Sequence, residues 1–142
     1  MPIKNYTTKV PANRSIDEIQ KALVKNGATA FLFEYEKGTG RISALKFKLV
    51  VGEQEVAFAL PVNWRQFQQC LKNEGARRYT DEDYVYRVAW RCIRDWVLAQ
   101  MALYETQIVE MPQIFLPFAV TGNGETIYEK VKGGQLLLGS GN

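Results

Sequence analysis

The chain contains no histidine. That excludes a Ser-His-Asp triad, a Cys-His dyad, a histidine general base and every zinc site that needs an imidazole. Cysteine is scarce too. Cys70 and Cys92 form no CxxC pair, so a four-thiolate site within one chain is excluded. Both fall in amphipathic segments, where a free cysteine behaves as a small buried hydrophobe, and that reading is preferred to a disulfide between them. No apolar run approaches the roughly 20 residues that span a bilayer. The opening MPIKNYTTKV lacks the apolar core of a secretory signal. These absences point to a soluble protein of the cytoplasm with no membrane partner.

What is present is the composition of one ordinary folded domain: 142 residues, 46% apolar and 23% charged. The 18 Lys and Arg against 15 Asp and Glu leave only +3, so the placement of charge matters more than its sum. There is no internal repeat and no linker. The expected organisation is a single domain over 1–132 and a flexible Gly-rich tail over 133–142, in which Leu136, Leu137 and Leu138 offer a docking segment for another subunit.

A first strand is expected over 3–10, ended by Pro11. Ser15 with Glu18 has the spacing of a capping box, so a helix is expected over about 16–26, closed by Gly27. Two hairpins follow. One centred on Gly38-Thr39-Gly40 pairs Tyr35 with Ser43, Phe33 with Leu45 and Phe31 with Phe47. One centred on Gly52-Glu53 pairs Leu49 with Val56, Phe47 with Phe58 and Leu45 with Leu60. Both registers put the same residues of the middle strand on one face, and a one-residue slip would destroy that agreement. Strands over about 28–37, 41–51 and 54–60 thus form a meander with one aromatic face. The other face carries small residues, Lys46 and Lys48, with Glu34 diagonal to Lys46 and in reach of an ion pair.

Asn63 is placed to cap a short helix over about 64–73, with Trp64, Phe67, Cys70 and Leu71 inward. Thr80 followed by Asp81, Glu82 and Asp83 opens a long helix over about 81–106. Its apolar arc, centred on Val85, Val88, Ala89, Cys92, Ile93, Trp96 and Val97, is about 180° wide, with Trp90 at one edge. Residues 111–117 read as a short apolar segment and 126–131 as a short strand. The expected fold is α+β, in the order β-α-β-β-β-α-α: an antiparallel meander of three to four strands with two to three helices on its aromatic face.

Three constellations carry candidate chemistry. Arg87, Arg91 and Arg94 form a stripe on the long helix, with Arg77 and Arg78 just before it. Guanidinium groups suit phosphate, and Trp90 and Tyr84 are placed to stack on bases. The same spacings also make local ion pairs, Asp83 with Arg87 and Arg91 with Asp95. Lys46 and Lys48 offer a basic sheet face, though the aromatics point the other way. Asp81, Glu82 and Asp83 carry oxygen ligands for a cation, but acids in a first helical turn complement the helix dipole, and no metal site is assigned. The glycine turns precede strands and not helices, so they lack the helix N-terminus of a phosphate cradle.

The stretch from Arg87 to Leu103, with Ile114-Phe115-Leu116-Pro117-Phe118 and the opening Ile3-Lys4-Asn5-Tyr6-Thr7-Thr8, resembles segments of uncharacterised small proteins of tailed bacteriophages and prophages. The resemblance covers most of the chain and implies a phage-borne accessory protein in the cytoplasm of a bacterial host. It transfers no catalytic residue. The expected function is non-enzymatic binding of nucleic acid, a nucleotide or another phosphate-bearing ligand. Arg77, Arg78, Arg87, Arg91, Arg94, Lys46 and Lys48 would serve as the cations, with no cofactor and with self-association open. The alternative is a counter-defence protein that binds a host immune protein or sequesters a nucleotide signal.

Overall fold

The computed structural model describes residues 3–134. Its elements run α1 (Ala12–Lys25), β1 (Ala30–Tyr35), β2 (Ile42–Val51), β3 (Gln54–Leu60), α2 (Arg65–Asn73), α3 (Glu82–Glu105), α4 (Met111–Phe115), a 3₁₀ turn (Leu116–Phe118) and α5 (Ile127–Lys132). The strands form one antiparallel sheet in the order β1-β2-β3, and the fold is α+β. The tail over 133–142 lies mostly outside the described residues. Gly133 closes α5 and Gly134 is the last position described.

The second hairpin has the expected register: Leu49 opposite Val56, Phe47 opposite Phe58 and Leu45 opposite Leu60. Its turn has positive φ at Gly52 and not at Glu53, as a type II′ turn needs. The first hairpin keeps Phe31 opposite Phe47 and Phe33 opposite Leu45, but Tyr35 faces Ile42 in place of Ser43. Ser43 is the extra residue of a β-bulge, which flips every side chain beyond it. Ile42, expected outside, is therefore buried, and its N–H donates to the Tyr86 hydroxyl at 2.9 Å. Tyr35, expected on the core face, is 61% exposed. The aromatic face packs as read otherwise. Phe47 stacks on Phe58 at 5.5 Å and meets Phe115 of α4 edge-on at 5.1 Å.

Six expectations need correction. Residues 3–10 form no strand. Asn5 adopts φ 67°, and Tyr6 and Thr8 donate back to Ile3 and Asn5, which makes a turn. That turn is tied to α3 through Asp95 and Tyr84. The stretch expected as a strand over 126–131 is α5. Thr126 Oγ1 accepts the Glu129 N–H, and Glu129 Oε1 accepts the Thr126 N–H, a complete capping box. α1 starts at Ala12 behind Pro11, one turn early, and Ser15 is buried within it instead of capping it. Cys70 is exposed on α2, while Leu71 and Trp64 fill the inward positions. Asp81 caps α3, accepting the Tyr84 N–H at 3.2 Å. Thr80 lies outside the helix, and the residue before α2 is Trp64, which makes no side-chain cap bond.

Two hydrophobic clusters meet on α3. The larger joins Ile16, Ile19 and Leu23 of α1, the aromatic sheet face, Phe115, and Trp90, Ile93, Val97 and Met101 of α3. The smaller joins Trp64 and Leu71 to Tyr84, Val85, Val88 and Ala89. The bulge gives two alanine substitutions opposite expectations. Phe47→Ala should destabilise the protein by about 3–5 kcal/mol, and Tyr35→Ala by less than about 1 kcal/mol. Urea unfolding of both variants measures the difference, and equal losses would mean that the bulge is absent.

Candidate functional site

The arginine stripe is mostly engaged within the fold. Arg91 donates to Glu18 at 2.8 Å and to Ser15 Oγ at 3.3 Å. Arg94 donates to the same Glu18 oxygen at 3.1 Å and to Asp95 at 3.0 Å. Burial alone would raise the Glu18 pKa, but the two arginines more than offset it and hold the carboxyl below its usual value. The expected local pairs of Arg87 with Asp83 and Arg91 with Asp95 do not form. Asp83 binds Arg41 at 2.7 Å, and Asp95 binds Lys4 at 2.7 Å and Arg94. The stripe fastens α3 to α1.

The expected stacking residues are not available to a base. Trp90 is fully buried in the larger cluster. Tyr84 is 5% exposed and donates its hydroxyl to the Tyr6 carbonyl at 2.7 Å. Burial raises its pKa. The guanidinium carbons of Arg78 and Arg87 stand over its ring at 5.0 and 5.9 Å.

The acidic triplet is taken up by three arginines. Asp81 pairs with Arg78 at 2.7 Å, Glu82 with Arg41 and Arg65, and Asp83 with Arg41. Arg65 also grips Glu36 through two bonds of 3.0 and 2.9 Å and lies over Trp64 at 4.2 Å. This network joins the end of the first hairpin to α2 and α3. The described residues contain no cluster of three or more Cys, Asp or Glu able to hold a metal ion. On the sheet, Lys46 lies opposite Leu32 and Lys48 opposite Ala30. Glu34 faces Ala44 and makes no ion pair with Lys46, because a diagonal neighbour is farther than a direct one and both side chains are free to reach into water.

A different grouping emerges beside the start of α3. Tyr6, Thr7, Thr8 and Lys9 form one wall of an open groove of about 380 Å³, and Ala76, Arg77, Arg78 and Tyr84 form the other. Arg77 and Arg78 were legible as a basic pair. Lys9 and the two threonines were not, because their segment reads as a strand and sits about 70 residues away in sequence. Arg78 is committed to Asp81, whose carboxyl is held below its usual pKa first by that arginine and then by the Tyr84 N–H. Lys9, Arg77 and Arg87 have no ion-pair partner among the described residues. The Arg87 Nε is buried without a hydrogen-bond partner. Tyr6, 44% exposed, is the open ring of the groove.

Comparison with protein-family models, with curated proteins and with solved structures finds no match.

The segment that forms the first wall is anchored through Asp95. Burial would raise the Asp95 pKa, but hydrogen bonds from Lys4, Asn5 and Arg94 hold it at about 2. A depressed carboxyl stabilises the fold above its unfolded pKa of about 3.9 and loses that contribution as pH falls toward the folded value. The contribution should be full at neutral pH, at most about 2.6 kcal/mol, and fade between about pH 4 and pH 2. Asp95→Asn should lower stability at pH 7 and flatten this part of the acid-denaturation profile. An unchanged profile would show that the anchor contributes nothing.

Proposed function

We propose that the protein is a binding protein whose groove beside the start of α3 takes the phosphates of a nucleic acid or nucleotide. The observation that carries this reading is the convergence of Lys9 and Arg77, neither of them ion-paired among the described residues, at one groove. Thr7 and Thr8 bring hydroxyl donors to the same wall, and Tyr6 brings an exposed ring of the kind on which bases stack. Phosphate suits such a site because its several oxygens accept from guanidinium, ammonium and hydroxyl donors together.

This reading moves the ligand away from the helical stripe. Arg91 and Arg94 would have to leave Glu18 and Asp95 to meet a phosphate, and the carboxylates left behind would repel it. Arg77 and Lys9 release no partner on binding.

Fluorescence anisotropy with a labelled single-stranded oligonucleotide tests the reading. With two phosphate contacts, affinity should fall roughly sevenfold between about 50 and 200 mM salt. Lys9→Ala with Arg77→Ala should weaken binding roughly tenfold or more, whereas Arg91→Ala, a residue occupied by Glu18, should leave it within about twofold. Binding that is absent, or that depends on Arg91 and not on Lys9 and Arg77, would overturn the proposal.

A further inference from the structure

The two edges of the sheet are treated differently. β3 is covered in part by the C-terminal segment: Phe58 bridges Ala119, and the Val120 N–H donates to the Ala57 carbonyl at 2.8 Å. No described residue pairs with the outer edge of β1. An open edge is a template for another strand, and proteins usually blunt one with proline, lysine or a very short strand. β1, with the sequence AFLFEY, has neither proline nor lysine. On the core side of that edge Phe31 and Phe33 lie stacked at 6.2 Å and only half-buried. On the outer side Leu32 is 55% exposed, beside a hollow of about 290 Å³ lined by Ala30, Lys46, Lys48 and Ala57.

From this edge we infer that the protein forms a two-fold dimer in which β1 pairs antiparallel with β1 of a second copy, centred on Leu32, to give one continuous six-stranded sheet.

The register follows from the side chains. A two-fold axis normal to the sheet keeps core faces together only when it passes through a residue, because side chains alternate with a period of two. Centred on Leu32, the axis sets Phe31 opposite Phe33 of the partner subunit and extends the aromatic row across the junction. On the outer face it sets Ala30 opposite Glu34 of the partner subunit. Lys48 is the next residue across the sheet from Ala30. The carboxylate and the ammonium are then two strand spacings apart, about 10 Å at the backbone, with only a methyl group between them. Both side chains are long enough to meet over Ala30. Glu34 and Lys48 are exposed and have no ion-pair partner among the described residues of one copy, and the dimer forms the pair twice. Centred on Phe33, the axis would instead set Ala30 opposite Glu36 of the partner subunit. Glu36 is already held by Arg65 and Thr39; the same axis sets Leu32 opposite Glu34 of the partner subunit, so that this carboxylate reaches Lys46 only across the whole Leu32 side chain. Charge complementarity therefore selects a second copy of this chain, and the small Ala30 between the charges, where the other register has Leu32, selects the Leu32-centred pairing.

Sedimentation velocity on the full chain across a concentration series tests the inference. The expected species is twice 16.2 kDa. Leu32→Lys sets like charges together at the axis and should raise the dimer dissociation constant at least roughly tenfold. Its exposed position leaves the monomer folded, which circular dichroism checks. Glu34→Lys should weaken the dimer roughly three- to tenfold, and adding Lys48→Glu should restore it. A protein that stays monomeric at about 100 μM, where even a weak dimer of about 10 μM affinity would form, overturns the inference. So does a dimer indifferent to Leu32→Lys, or one weakened by Glu34→Lys and not rescued by the swap.

Discussion

The structure depends on burying a helix that is apolar around most of its circumference. At 100° per residue the buried positions of α3, from Tyr84 through Val88, Val85, Ala89, Ile93, Val97 and Trp90 to Met101, sweep about 260°. A helix on a single partner needs an apolar stripe of about 100° or somewhat more. α3 therefore needs cover on several sides, and the chain supplies it. α1 and the aromatic sheet face cover the C-terminal half, and α2 with Trp64 covers the N-terminal half. The elements on either side of α3 in sequence are held in place by the helix they enclose.

That constraint also decides what the arginines can do. On the same wheel Arg94, Arg87 and Arg91 fall at about 280°, 300° and 340°, the strip that the core leaves open. α1 runs beside this strip and brings Glu18 to two of the three. These pairs are partly buried, so the attraction within each is offset in part by the loss of hydration. Their consequence here is electrostatic: two helical cations are neutralised and cannot form a basic face. Arg41 and Arg65 are neutralised in the same way by Glu36, Glu82 and Asp83. The small net charge of the sequence thus survives as local excess in a few places, of which the groove with Lys9 and Arg77 is one.

The meander was legible because two independent turn centres had to agree on one middle strand, and β2 with β3 has the register they imply. The bulge at Ser43 was not legible. It depends on Tyr86 receiving the Ile42 N–H and on the core taking the Ile42 side chain, both of which come from α3. The reading of 126–131 as a strand overlooked a local signal, since Thr126 and Glu129 have the spacing of a capping box. Trp90 was misplaced for a different reason. Periodicity told which residues share a face of α3, but the width of the buried arc is set by how many neighbours arrive, and that information lies elsewhere in the chain. The groove was half-legible on the same principle: Arg77 and Arg78 are adjacent in sequence, whereas Lys9 joins them only because the 3–10 segment is tied to α3 through Asp95 and Tyr84.

The demand of α3 for cover also explains why the sheet has one dressed face and one bare face. α1, α3 and α4 all contribute to the cluster on the aromatic side. The bare face carries alanines, Glu34, two lysines and the exposed Leu32 and Val50, and single apolar residues on a polar background are ordinary for a protein surface. Edge β1 is harder to reconcile with isolation. Its two phenylalanines are only half covered by the helices, while the chain's last described segment is spent on the opposite edge at β3. A sheet of three strands with one protected edge has a direction in which it can grow, and that direction leads through Phe31, Leu32 and Phe33.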